Sequence, residues 1–162
     1  TYDREVAGGY LWSRQRRIDG SRNPFYDNLR LVRTGDLVFA YARMAIRAVG
    51  VALAPARHAG RPDETPPPLQ EEKDGWLLDV AWLELRRPLE PASHMAILAP
   101  RLPALHAPLT AKGRGIQGGR LLELPCPLAL ALLQLAGGHH PSPRNHPSLR
   151  PQQLSFPLEE TK

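Results

Sequence analysis

The sequence predicts an α+β fold: a small, strongly curved mixed β-sheet or barrel with short flanking helices. Three observations carry that prediction. Residues 37–42 (LVFAYA) and 46–54 (IRAVGVALA) are rich in β-branched or aromatic residues and lie three residues apart, which is hairpin spacing. Residues 76–86 (WLLDVAWLELR) are apolar on both parities around Asp79, as in a barrel wall. Prolines recur too often for long helices, and the strands come in hairpins without the regular strand–helix alternation of a doubly wound parallel sheet.

In chain order, GGYLW at residues 8–12 reads as a short apolar strand. The polar, Arg-rich stretch SRQRRIDGSRNP follows as a loop, because Pro24 forces residue 23 out of helical geometry. Residues 25–33 read as a short helix or irregular turn, and Thr34, Gly35 and Asp36 open the 37–42 strand. Residues 55–74 are Pro- and Gly-rich and nearly devoid of apolar side chains, so they read as an exposed loop. Short helical pieces are expected at 92–98 and 102–106, with Pro100, Pro103 and Pro108 preventing anything longer. The Gly-rich basic loop 112–119 (KGRGIQGG) leads into a strand at 120–124 and a helix at 127–136 that Gly137 and Gly138 stop. Residues 1–136 thus form one expected domain, and the Pro- and His-rich residues 137–162 a linker or tail.

At 162 residues the chain is long enough to hold a core without disulfides or a structural metal. Its single Cys126 has no partner thiol, no apolar run reaches membrane-spanning length and no secretory signal is visible, so the expected setting is a reducing cytoplasm. The net charge of +5 is uneven: residues 1–50 carry 9 basic and 5 acidic side chains, residues 51–100 carry 5 and 8, and residues 101–162 carry 7 and 3. If the two basic ends meet, they form one positive surface of the kind that contacts a phosphate backbone. Arg outnumbers Lys by 18 to 3, which suits phosphate and guanine recognition but also follows from GC-rich coding or a thermophilic host.

Catalytic chemistry is not indicated. His139, His140 and His146 sit in a Pro-rich tail without a Cys or carboxylate at zinc-site spacing, so they read as solvated linker, with no cofactor or metal expected for this domain. KGRGIQGG lacks the ending of a nucleotide-binding loop and serves either as an anion contact or as a hairpin connection. Of ten aromatic residues, Tyr10, Trp12, Phe25, Tyr26, Phe39 and Tyr41 fall in the stretch that also carries the Arg loop. Aromatic faces beside arginines stack unpaired bases, although small curved sheets also use such residues as core.

The run GGYLWSRQRRIDGSRNPFYDNLRLVRTGDLVFAYARMAIRAVGVA resembles the amino-terminal half of EVE-type domains, members of the PUA superfamily related to the YTH readers of methylated adenine. The pieces GWLLDVAWLEL, LTAKGRGIQGGRLLELP and PLALALLQL continue the resemblance in order, over about residues 8–136. It is similar in particular to the version at the front of bacterial EVE–HNH modification-dependent restriction endonucleases. The resemblance implies a PUA-like fold and a DNA-binding specificity domain that flips 5-methylcytosine or 5-hydroxymethylcytosine out of double-stranded DNA into an aromatic pocket. It also implies an HNH nuclease domain beyond Lys162, which would bring a divalent metal and a possible dimer contact; the chain itself shows no HNH motif. PUA-type domains also serve RNA, and a small-molecule or protein-interaction role stands as a third reading.

By position, the resemblance makes Trp12 the main cage wall, followed by Ser13 at the base edge and Asn23 near the base. Tyr41 and Trp76 supply further walls, with Phe39 as the alternative to Tyr41, since the two share a strand face. Asp36 is either a turn residue or an acceptor for the cytosine amino group. Gln117 fills the gap left by the base or contacts phosphate. Arg14, Arg16, Arg17, Arg22, Arg43, Lys112 and Arg114 face the backbone on the ground of charge.

Overall fold

The computed structural model describes residues 2–62, 75–116 and 120–141 and the backbone of 154–157; Gln117 and His146 lie outside the described residues. The elements are α1 (Tyr2–Gly8), β1 (Tyr10–Arg14), α2 (Pro24–Asp27), β2 (Leu37–Ala42), β3 (Ala45–Ala52), β4 (Arg57–Ala59), β5 (Gly75–Leu89), α3 (Met95–Leu98), β6 (Leu121–Leu124), α4 (Cys126–Leu135) and β7 (Leu154–Pro157). Three 3₁₀ turns, Asn28–Leu31, Pro91–His94 and Ala99–Arg101, flank α2 and α3.

The strands form one curled, mainly antiparallel sheet in the order β1-β5-β3-β2-β7-β6, with β4 also paired to β5, so the α+β class with a curved sheet is what the chain adopts. The β2–β3 hairpin forms as its spacing predicts, from Leu37 opposite Val51 to Ala42 opposite Ala45, with an irregularity between Ala40 and Tyr41. Strand β5 is the spine. One edge of its first half holds β1, and the other edge holds β3 and then β4, with Ala52 opposite Val80 and Arg57 opposite Leu77.

Four elements differ from the sequence expectation. Helix α1 offers only Tyr2 and Val6 as an i,i+4 apolar pair, too short a period to announce a helix. Strand β4 lies in the stretch expected to be a loop; it is three residues long and its residues are polar or small. The expected helix at 102–106 is absent, because Leu102 precedes Pro103 and is extended (φ −70°, ψ 137°), ending the 3₁₀ turn at Arg101. The expected tail supplies β7, which runs parallel to β2 and antiparallel to β6.

Each face of the sheet is covered. On one face Phe39, Tyr41, Val49, Val51 and Leu89 pack with Leu122 and Leu124 of β6 and with Leu128 and Leu132 of α4. On the other, Leu11, Val38, Ala52, Leu78 and Val80 pack with Leu29 of the 3₁₀ turn and Leu121. A buried side chain of this size stabilises by about 1.5–3 kcal/mol, so most of the folding free energy resides in these two layers. Helix α4 ends where the Gly138 N–H donates to the Leu133 carbonyl at 2.8 Å.

Strand β1 has no strand neighbour on its outer side among the described residues, and two side chains take that place. The Trp12 N–H donates to Glu5 Oε1 at 3.0 Å, and the Trp12 carbonyl accepts from Arg120 Nε and Nη2 at 3.0 and 2.7 Å. Arg120 also pairs with Glu5, the two side chains being 11% and 6% exposed. A buried pair whose donors and acceptors are engaged is tolerated, whereas one left without its partner costs about 3–5 kcal/mol. Arg120→Ala should therefore lower the unfolding free energy by about 3–5 kcal/mol in urea titrations. The Glu5→Ala/Arg120→Ala double variant should lose less than the sum of the single losses; additive losses would show that the two residues act separately.

Candidate nucleic-acid interface

The ribbon formed by β1, the first half of β5 and β4 carries two tryptophans that adjacent positions send to opposite faces. Trp12 lies opposite Leu77, and Trp76 lies opposite Ser13 on β1 and His58 on β4. Directly opposed residues share a face and successive residues alternate, so Trp12 and Trp76 do not face one another across a common cavity.

Trp12 is 6% exposed and packs with Tyr10, Leu77 and Ala59. Its Nε1 donates to the Ala59 carbonyl at 3.1 Å, and the guanidinium carbon of Arg61 lies 5.5 Å from the indole centroid. The indole lies directly against Gly75, where a Cβ would come within 2.3 Å of the ring. Only glycine lets β5 approach that closely. On the opposite face Trp76 is half-buried, with the Arg30 guanidinium carbon 5.0 Å from its centroid and His58 edge-on at 5.8 Å. Trp76 Nε1 is buried and has no acceptor among the described residues. Each guanidinium–indole contact is worth about 0.5–2 kcal/mol, depending on how far it is shielded from water.

The other predicted pocket residues are engaged elsewhere. Ser13 is buried on the Trp76 face, with its hydroxyl 3.2 Å from the Arg14 carbonyl. Asn23 is buried as the N-cap of α2, its Oδ1 accepting from the Phe25 N–H at 3.0 Å. Asp36 is buried in the turn before β2, where Oδ2 accepts from the Arg33 N–H at 2.8 Å. Burial raises the Asp36 pKa and the Arg33 hydrogen bond opposes that rise. Phe39 is fully buried in the main core. Tyr41 belongs to the same core, accepts from the Gly115 N–H at 3.1 Å through its hydroxyl and borders a narrow cleft with Tyr2, Glu5, Trp82 and Arg120.

The expected cage of Trp12, Tyr41 and Trp76 therefore does not converge, because the three side chains belong to three different packing clusters. Sequence gives the parity of each residue within its own strand. It does not give the pairing that decides which faces meet.

The predicted cations divide in the same way. Strand β1 ends beside Gly75, at the start of β5, and Arg14, Arg16, Arg17 and Arg22 lie there or in the loop beyond it. Arg43 lies in the β2–β3 turn at the far end of β5, near the level of Leu89, and pairs with Asp3 at 2.7 Å. Lys112 and Arg114 belong to that end too: Gly113 lies against Ala92 and Met95, and Gly115 reaches Tyr41. Among the described residues these cations do not merge into one patch: Arg14, Arg16, Arg17 and Arg22 lie at one end of the sheet and Arg43, Lys112 and Arg114 at the other. Arg16, Arg17, Arg22, Lys112 and Arg114 are all exposed, and Arg22 pairs with Asp27 at 2.7 Å.

Sequence reasoning passed over Arg61, Arg30, His58 and Gly75. Arg61 and Trp12 meet only because β4 and β1 flank the same strand, and no local pattern announces such a contact. Among the described residues no group of three or more His, Cys, Asp or Glu is placed to hold a metal ion, and no helix is long and apolar enough to cross a membrane. No protein-family model and no curated protein matches the chain.

Gly75→Ala should cost about 1–3 kcal/mol of stability and shift the tryptophan emission, since Trp12 has to leave β5; an unchanged spectrum and stability would refute the close approach. Asp36 gives a pH-dependent case. With its folded pKa above the ordinary unfolded value near 3.9, its contribution is fully present below that value and is lost as pH rises through the folded pKa. Asp36→Asn, which keeps an acceptor for Arg33, should stabilise the protein at pH 7 and progressively less towards pH 3. An equal effect at both pH values would show that desolvation does not govern this carboxylate.

Proposed function

We propose that this domain has the PUA-like fold of EVE-type modules and reads 5-methylcytosine or 5-hydroxymethylcytosine in duplex DNA by flipping the base onto Trp12, as the specificity half of an HNH-type endonuclease. The observation that carries this reading is the Trp12–Arg61 stack. A guanidinium over an indole occupies the kind of position that a planar base takes, and Arg groups beside aromatics are the usual means of holding unstacked bases. Four arginines follow Trp12 in the chain, at the end of β1 and in the loop beyond it. The curled sheet with short helices is compatible with the fold that the motif order GGYLW…NPFYDNLR…GDLVFAYA suggests.

Four terms set the energetics of the exchange. Extruding a base costs a few kcal/mol. Stacking on an aromatic returns about 1–3 kcal/mol. Arg61 gives up about 0.5–2 kcal/mol when it leaves the indole and recovers charge interactions at phosphate. The cytosine methyl contributes about 0.8 kcal/mol as one buried CH₂ equivalent, so discrimination also draws on the shape of the site. Since Trp12 is almost fully covered, the base enters only as Arg61 withdraws.

Gel shifts with unmodified duplex, methylated duplex and single-stranded RNA of one sequence separate this reading from RNA binding and from a role without nucleic acid. The expected order is methylated duplex first; equal affinity for both duplexes removes the proposal. Trp12→Phe, which keeps an aromatic core residue but loses the bond to Ala59, should narrow the preference for methylated duplex. Salt-dependent binding to unmodified duplex should be unaffected.

A further inference from the structure

The Arg-rich stretch after β1, expected as a polar loop, is a small hydrogen-bonded finger. Arg16 bridges to Arg22 in antiparallel fashion, and the Arg17 N–H donates to the Ser21 carbonyl at 2.9 Å. The Gly20 N–H donates to the Arg17 carbonyl at 2.9 Å, closing a four-residue turn with Ile18 at its second position and Gly20 at φ +80°. The turn is fixed from within: Asp19 Oδ1 accepts from the Ser21 N–H and hydroxyl at 2.9 and 2.6 Å, and Arg16 Nη1 donates to the Gly20 carbonyl at 3.2 Å. The same Ser21 hydrogen bonds hold the Asp19 carboxyl below its ordinary pKa, so this internal tie persists at neutral pH. At the base, Arg22 Nε donates to Asp27 Oδ2 at 2.8 Å and anchors the finger to α2.

Ile18 stands at the tip, 88% exposed, the most exposed large apolar side chain among the described residues. Isolated exposed apolar residues are common and carry nothing by themselves. This one differs by its setting: a hydrogen-bonded turn holds it out, three arginines surround it against one aspartate, and it follows Trp12 by six residues, a reach of at most about 20 Å. A branched aliphatic side chain on a hydrogen-bonded, cationic projection matches the apolar wedges that proteins insert between base steps while arginines hold the flanking phosphates.

We infer that Ile18 is such a wedge, entering the duplex where the extruded base leaves its neighbours unstacked, while Arg16, Arg17 and Arg22 hold the backbone on either side. This rests on the base-flipping reading above and assigns the gap to Ile18. Because the side chain is exposed, its replacement leaves the fold alone. The wedge is used only when a base is out of the stack, so it acts on modified duplex and not on general electrostatic binding.

The test compares the 162-residue protein with its Ile18→Ala and Ile18→Met variants on methylated and unmodified duplex across a salt series. Removing the apolar side chain that enters the duplex should weaken binding to methylated duplex by about tenfold or more. Affinity for unmodified duplex and its salt slope should stay the same, and Ile18→Met should recover most of the loss. If the native protein prefers methylated duplex and Ile18→Ala keeps that preference, the wedge is refuted and the flipping proposal stands. If Ile18→Ala weakens binding to both duplexes equally, Ile18 is a general contact and the wedge is again refuted. If the native protein shows no preference, the flipping proposal falls and takes the wedge with it.

Discussion

The peptide group of Trp12 is the point on which the architecture depends. Strand β1 is joined to the sheet on one side only, and an open edge in a basic, aromatic segment invites pairing with another chain. Glu5 and Arg120 close it by presenting a carboxylate to the N–H and a guanidinium to the carbonyl. One interaction therefore ties together α1, the first strand and the residue before β6, which are 115 positions apart at the extremes. Trp12 owes its fixed orientation to this clamp as well as to Gly75 beneath its ring, and both stacking arginines are measured against a frame that the clamp holds still.

That frame determines what kind of site the chain can offer. There is no deep preformed cage among the described residues: the aromatics named from sequence are spread over separate clusters, and Asn23 and Asp36 spend their side chains on a helix cap and a turn. What the ribbon offers is a pair of indoles on opposite faces, each attended by an arginine, with a cationic finger continuing from the end of β1. In the proposed mechanism the protein supplies one stacking surface and one gap-filling side chain on the same short segment, so recognition and extrusion are coupled through residues 12–22.

The parts of this that could be read from the sequence are those set by local pattern. The β2–β3 hairpin, β5, the stop of α4 at Gly137 and Gly138 and the curled α+β sheet follow from periodicity and turn residues. Strand β4 did not, since Arg57, His58 and Ala59 show no β-pattern and become a strand only because Leu77, Trp76 and Gly75 present a free edge. Trp12 and Trp76 were both visible as aromatic candidates, but their opposite orientation depends on the Ser13–Trp76 register, which is a tertiary fact. Charge alone groups Arg43 and Lys112 with the other cations, and the sheet carries them to its far end. The finger shows the reverse case: its Arg, Asp and Gly residues spell a polar loop, and its order comes from hydrogen bonds that composition does not display.

Strand β7 has a consequence in time. It lies between β2 and β6, so β6 reaches the rest of the sheet through it, and Leu37 meets Leu154 across a separation of 117 positions (154 minus 37). Parallel pairing at such distance closes slowly, because the whole loop entropy is spent before any contact is gained. During synthesis the hairpin, β5 and the Trp12 ribbon emerge and can pair long before Leu154 does. The carboxyl-side edge of the sheet is thus the last to assemble, and the segment that carries the stacking tryptophans and the finger is ordered before it.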